Sequence, residues 1–149
     1  MGLGRRTVLA GGVAALAVAG ALLWPEPGLP DGVVALSADA ALERVRNGSI
    51  WLVDIRRPDE WAVTGVAEDA IPLDMRRDDF LAALEEATRT APERPVALIC
   101  ARGVRSRRMA GRLHAAGIPA VADVSEGMLG SGAGPGWIAR GLPVTTVPG

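Results

Sequence analysis

Four short, largely apolar runs, at residues 33–36, 50–54, 96–100 and 119–123, lie far enough apart for a helix to fit between successive ones. Runs of this length suit strands buried on both faces, and parallel strands need a crossover between them, usually a helix. The helix signals fall in the gaps. Ser37 is an N-cap for 38–46, which Asn47 and Gly48 close, and Pro58 opens a short helix over 58–64. Phe80, Leu81 and Leu84 share one face of a helix over 77–90, and Ser106 caps another over 106–116. A brief strand near 70–71, a helical turn at 137–140 and a strand at 144–147 complete the pattern. Strands alternating with helices predict an α/β fold, a mostly parallel central sheet with helices on both faces.

Such a sheet puts its strand ends, and its ligands, on one side. Cys100, the only cysteine, ends the run 96–100, and Asp54 ends the run 50–54. A tight loop from Cys100 into a helix turns backbone N–H groups and the positive helix end toward the sulfur, and both stabilise a thiolate or a bound anion. Gly103 supplies the conformational freedom that such a loop needs. Arg102 and Arg105 add cations that fork onto sulfonate, sulfate or phosphate oxygens. A lone cysteine after an apolar run is commonly just a buried core residue, but an arginine-flanked glycine turn has no use in a core. Cys100 is therefore the candidate nucleophile.

The segment Cys100-Ala101-Arg102-Gly103-Val104-Arg105-Ser106 resembles the active-site loop of single-domain rhodaneses, the thiosulfate sulfurtransferases. The stretch from Leu52 to Trp61 resembles the first motif of that family, Gly65 to Pro72 its Gly-His-Ile segment, and Gly141 to Val144 its closing motif. Several spaced motifs in the right order carry more weight than any one of them. The resemblance spans roughly residues 33–147 and implies a rhodanese-like fold. Val66 stands where the family usually has histidine, Asp69 where it has glycine, and Glu126 where a glycine pair is common. The run from Gly127 to Gly136 is longer than the usual connection.

The resemblance implies that a Cys100 thiolate takes the outer sulfur of thiosulfate, releases sulfite and passes the sulfur to a thiol or cyanide. Cys100 is then catalytic, and Ala101, Arg102, Gly103, Val104, Arg105 and Ser106 bind the substrate. It also implies that Asp54, Arg56 and Glu60 brace the site without reacting. Trp51, Trp61 and Trp137 read as core or pocket wall. No cofactor is implied, and a monomer is expected. Two other readings stay open. One is a sulfur-carrier or partner-binding module without turnover, since fold does not fix function. The other is a cysteine-dependent phosphatase, whose spacer from cysteine to arginine is longer than Ala101 to Val104 here.

Composition removes several classes. Net charge is −1 and tyrosine is absent, so the chain has neither the basic footprint nor the stacking platform of a nucleic-acid binder. Lysine is absent too, which removes Schiff-base chemistry and the P-loop lysine. His114 is the only histidine, reads as a helix-surface residue, and with one cysteine makes no zinc site of Cys and His ligands. No stretch of the glycine-rich run satisfies G-x-G-x-x-G, so it reads as a surface loop.

The 149 residues suit one folded domain, at 33–149. Residues 1–24 read as an export signal or membrane anchor and 25–32 as a Pro/Gly linker: Arg5 and Arg6 precede 18 uncharged residues, 7–24. The arginine pair resembles a twin-arginine signal, and an ordinary secretory start fits equally. Small residues at 17–19 suit cleavage, whereas an uncut segment is about long enough to span a bilayer. Either fate puts the domain outside the cytoplasm, periplasmic or membrane-anchored facing the periplasm. An unpaired thiol there suits a reactive role better than a disulfide.

Overall fold

The strand β5 (Val96–Ile99) is buried along its whole length and forms the middle of a five-stranded parallel sheet. The computed structural model describes residues 28–147. Around β5 stand β1 (Val33–Leu36), β2 (Trp51–Asp54), β4 (Ile71–Pro72) and β6 (Val121–Val124), in the order β1-β6-β5-β2-β4. Ile99 pairs with Asp54 of β2, and Leu98 with Asp123 of β6, so these strand ends come together on one edge.

Alternation along each strand divides the core in two. Val53, Ile55, Leu98 and Cys100 face α3 (Phe80–Thr88) and α4 (Val104–Ala115), through Phe80, Leu84, Met109 and Leu113. Leu52, Ala97, Ile99 and Val124 face α1 (Ala38–Arg46) through Ala38, Ala41 and Leu42, with Met128 and Trp137 filling the same side. The α/β sheet with both faces covered is as the sequence predicts.

The helix α2 (Pro58–Thr64) starts with proline, and its Glu60 carboxylate accepts the Arg57 N–H, closing the first turn. Gly65 ends it with φ +73°, and a Cβ there would stand 2.8 Å from the Thr145 carbonyl oxygen. That close approach belongs to a second sheet absent from the sequence reading, in which β3 (Val66–Ala67) pairs antiparallel with β7 (Val144–Thr145). Asp69, in the place of a family glycine, has φ +59°, a conformation aspartate tolerates better than most residues.

Other bounds shift from the expected ones. α3 begins at Phe80, not 77, because the preceding residues form turns closed by Arg77 N–H to Asp74 O and Phe80 N–H to Arg77 O. α4 begins at Val104, so Ser106 lies inside the first turn and is fully buried instead of capping the helix; Gly103 is the cap residue. The run 127–136 is only partly a surface loop: Gly127, Met128 and Gly136 are buried. His114 is half-buried beneath Gly32 instead of lying on the helix surface. The signal or anchor expected over 1–24 lies outside the described residues, as do residues 25–27 of the linker. Residues 28–32 bring Pro30 against Gly111 of α4. No helix among the described residues is long and apolar enough to cross a membrane.

At the end of β2, Arg56 is 1% exposed and Asp54 fully buried. Arg56 Nε donates to Asp54 Oδ1 at 2.9 Å and Nη2 to Oδ2 at 2.7 Å. Its remaining donors reach Thr64 Oγ1 at 2.9 Å and the Gly65 carbonyl at 2.8 Å, tying the sheet edge to the end of α2. Arg56→Ala leaves the Asp54 carboxylate buried and alone, and is expected to cost about 3–5 kcal/mol. Urea unfolding at neutral pH measures this, and a variant as stable as the parent would show that Asp54 does not depend on Arg56.

Candidate active site

β5 delivers Cys100 to the edge where strand pairing stops. The residue is 1% exposed, and its Sγ lies 3.3 Å from Ser106 Oγ. The chain then turns through Gly103, whose φ of +76° belongs to the left-handed region, and enters α4. No larger residue fits there, since a Cβ would stand 2.2 Å from the Ser125 carbonyl oxygen.

The backbone polarity of this loop is ordered. The Cys100 carbonyl accepts the Met128 N–H at 2.9 Å and the Ala101 carbonyl accepts the Leu129 N–H at 2.8 Å. The N–H groups of 101–106 have no hydrogen-bond partner among the described residues. They form a cradle of free donors at the start of a 12-residue helix, beside the one thiol. An anion on or next to the sulfur is stabilised there without any cation.

The expected cations are placed differently from each other. Arg105 is forked by Glu60, with Nη2 to Oε1 at 2.6 Å and Nη1 to Oε2 at 2.8 Å. Arg102 is exposed and donates to the Gly130 carbonyl at 3.3 Å. Val104 is half exposed on the loop's outer surface. Arg105 holds the Glu60 carboxyl at about 2, against burial and with help from the Arg57 N–H and guanidinium. Glu60 thus joins α2 to the loop, while Asp54 and Arg56 hold the sheet edge behind it. A cleft of about 180 Å³ beside the loop is lined by Arg56, Glu60, Val63 and Leu129 among others. A cavity of about 640 Å³ lies at the opposite, N-terminal edge of the strands, near Pro95 and Pro119.

Sequence reasoning missed Asp123, at the end of β6. It is fully buried, and Ser125 Oγ donates to its Oδ2 at 2.8 Å. Burial pushes its carboxyl up, an effect offset in part by the Ser106 and Ser125 hydroxyls and the Arg107 charge. Ser106 therefore stands between the thiol and a buried acid. The strand-end argument that singled out Cys100 and Asp54 would have found it. Trp137 is fully buried and its indole donates to the Pro143 carbonyl at 2.8 Å, so it is core, as is Trp61; Trp51 is half-buried with Arg94 stacked on its ring at 4.3 Å. Among the described residues no three His, Cys, Asp or Glu side chains cluster as metal ligands.

Because its folded value lies below the ordinary 4.5, Glu60 contributes stability that is complete above that pH and is lost as pH falls through about 2. A carboxyl-carbon NMR titration should therefore show Glu60 still ionised at pH 4. In Arg105→Ala the midpoint should climb back toward the ordinary value. An unmoved midpoint would mean that the fork is not what holds the carboxylate.

A model of the rhodanese-like domain matches residues 37–131. Among solved structures, the polysulfide-sulfur transferase homodimer of Wolinella succinogenes is similar at 26% identity with a TM-score of 0.59, over 76% of this chain and 79% of that one. Rv0390 from M. tuberculosis is 28% identical with a TM-score of 0.58, over 77% and 98%. A Rhodopseudomonas palustris protein of unknown function, described as a possible tyrosine phosphatase, shares the fold at 22% identity and a TM-score of 0.56, over 76% and 85%. No curated protein sequence matches the chain. The matched span runs without a break from the first helix through the Cys100 loop to the segment beyond β6, and the chain belongs to the rhodanese-like domain family.

Proposed function

We propose that the protein is a sulfurtransferase that carries sulfane sulfur as a persulfide on Cys100, with thiosulfate as donor and a thiol or cyanide as acceptor. The observation that carries this reading is the row of unpartnered N–H groups at 101–106 beside the thiol. The Cys100 thiolate attacks the outer sulfur of thiosulfate, a new S–S bond forms, and the bond to the sulfonate sulfur breaks with its electron pair leaving on sulfite. The persulfide's negative charge then rests on the outer sulfur, where fixed donors stabilise it without reorganising. An acceptor thiolate attacks that sulfur and the Cys100 thiolate leaves, ready for another cycle.

The short spacer from Ala101 to Val104 favours a sulfur atom over a phosphoryl group, and the likeness to a protein described as a possible tyrosine phosphatase concerns the fold alone. Arg102, with Arg105 tempered by Glu60, supports a small dianion as donor. The carrier reading uses the same persulfide and differs only in lacking turnover.

Intact-mass measurement after incubation with thiosulfate should show the gain of one sulfur atom on the parent chain and none on Cys100→Ser. Steady-state turnover should then favour thiosulfate over mercaptopyruvate by about tenfold, the worth of one charge-assisted contact. Loading without turnover would select the carrier reading, and loading of Cys100→Ser would end the assignment.

We also propose that the domain works outside the cytoplasm, on the strength of Arg5, Arg6 and the uncharged residues 7–24. Replacing both arginines by glutamine should leave the protein in the cytoplasmic fraction, whereas Arg5→Lys with Arg6→Lys blocks only the twin-arginine route. Export unaffected by the glutamine pair would refute the proposal.

A further inference from the structure

Glu126 is 1% exposed, yet every side of its carboxylate is engaged. Oε1 accepts the Ala38 N–H at 3.1 Å and Arg140 Nη2 at 3.0 Å; Oε2 accepts the Gly136 N–H at 3.0 Å and Arg140 Nε at 2.7 Å. Arg140 Nη1 reaches on to Asp39 of α1 at 2.7 Å. One buried carboxylate therefore joins β6's exit, the start of α1 and the far end of the long connection. Burial pushes the Glu126 carboxyl up, but Arg140 and the two N–H groups outweigh it and hold it below the ordinary carboxylate range. The positive end of α1 favours the same charge.

What lies between these anchors is the segment that touches the Cys100 loop. Gly127 packs so closely that a Cβ would stand 2.5 Å from the Ala101 carbonyl oxygen. Met128 and Leu129 then donate to the Cys100 and Ala101 carbonyls. In a trans peptide the C=O and the following N–H point in opposite directions. Drawing those two carbonyls toward 128 and 129 turns the N–H groups of Ala101 and Arg102 away, to the open side of the loop. The same two N–H groups are among those without partners.

We propose that Glu126 is a positioning residue for the cradle: by clamping residues 127–140 to α1 it fixes the Met128 and Leu129 amides that keep the Ala101 and Arg102 N–H groups aimed at the reacting sulfur. It touches no substrate. Its kinetic consequence rests on the sulfurtransferase reading, while its structural consequence does not.

The test uses the full-length chain and two readouts. In Glu126→Ala the Met128 and Leu129 amides should exchange with solvent at least about tenfold faster, and kcat with thiosulfate should fall about tenfold with KM within about twofold, since the cradle acts on charge that develops during transfer. Glu126→Gln keeps an acceptor but loses the charge toward Arg140, and should fall between the two. A merely structural role would lower Tm and leave kcat per folded molecule unchanged. Should the alanine variant not fold, Arg140→Gln, which leaves the carboxylate with Ala38 and Gly136, carries the same comparison. Unchanged exchange at 128 and 129 in a folded variant, or faster exchange with kcat unchanged, would overturn the proposal. A parent chain that forms no persulfide would instead defeat the sulfurtransferase reading, and the exchange result would still judge the clamp.

Discussion

A strand buried on both faces must pair its backbone groups, and in this protein the ladder of β5 runs out at Cys100. Everything at the site follows from how the next few peptide groups are accommodated. The Cys100 and Ala101 carbonyls are taken by the segment after β6, and the N–H groups of 101–106 are left over among the described residues. The asymmetry requires a second segment close behind the loop, and two glycines, Gly103 and Gly127, allow that approach where any side chain would collide. The sheet places the sulfur, and the long connection sets the polarity around it.

Arginine does the joining, in a chain without lysine. Asp54, Glu60 and Glu126 each meet a guanidinium fork, from Arg56, Arg105 and Arg140. A planar fork engages both carboxylate oxygens and leaves further donors for backbone carbonyls, which a lysine ammonium cannot do in the same geometry. Arg56 shows the difference, since its spare donors carry the sheet edge over to α2. The Glu60–Arg105 fork joins α2 to α4, and the Glu126–Arg140 fork joins the exit of β6 to the far end of the long connection.

How much of this the sequence carried depended on whether the signal was local. The strand 96–99, the turn at Gly103 and the proline start of α2 are short-range patterns, and each appears where its residues place it, while the helix after Gly103 begins at Val104, ahead of the expected Ser106. The motif resemblance added Arg56 and Glu60 beside Asp54, and their contacts form across short loops or between neighbouring elements. Glu126 could only be seen as a departure from a glycine, because its partners at 38, 136 and 140 are brought to it by the fold. Met128 was lost in a glycine-rich run that looked uniformly exposed, although its own N–H and that of Leu129 pin the Cys100 loop. The pairing of β3 with β7 joins two-residue strands too short to show a period of two.

The depth of Cys100 bears on which sulfur meets the outside world. With Cys100 1% exposed, the protein's own sulfur is shielded by its loop, by Ser106 and by the residues of its helix face. An atom bonded to Sγ stands about 2 Å farther along, at the spacing of any S–S bond. In the proposed persulfide the atom offered to a second reactant is then the borrowed one, while the owned one stays behind the backbone that carries it. On that reading burial sorts two chemically alike sulfurs by depth, so that cleavage between them returns the protein intact.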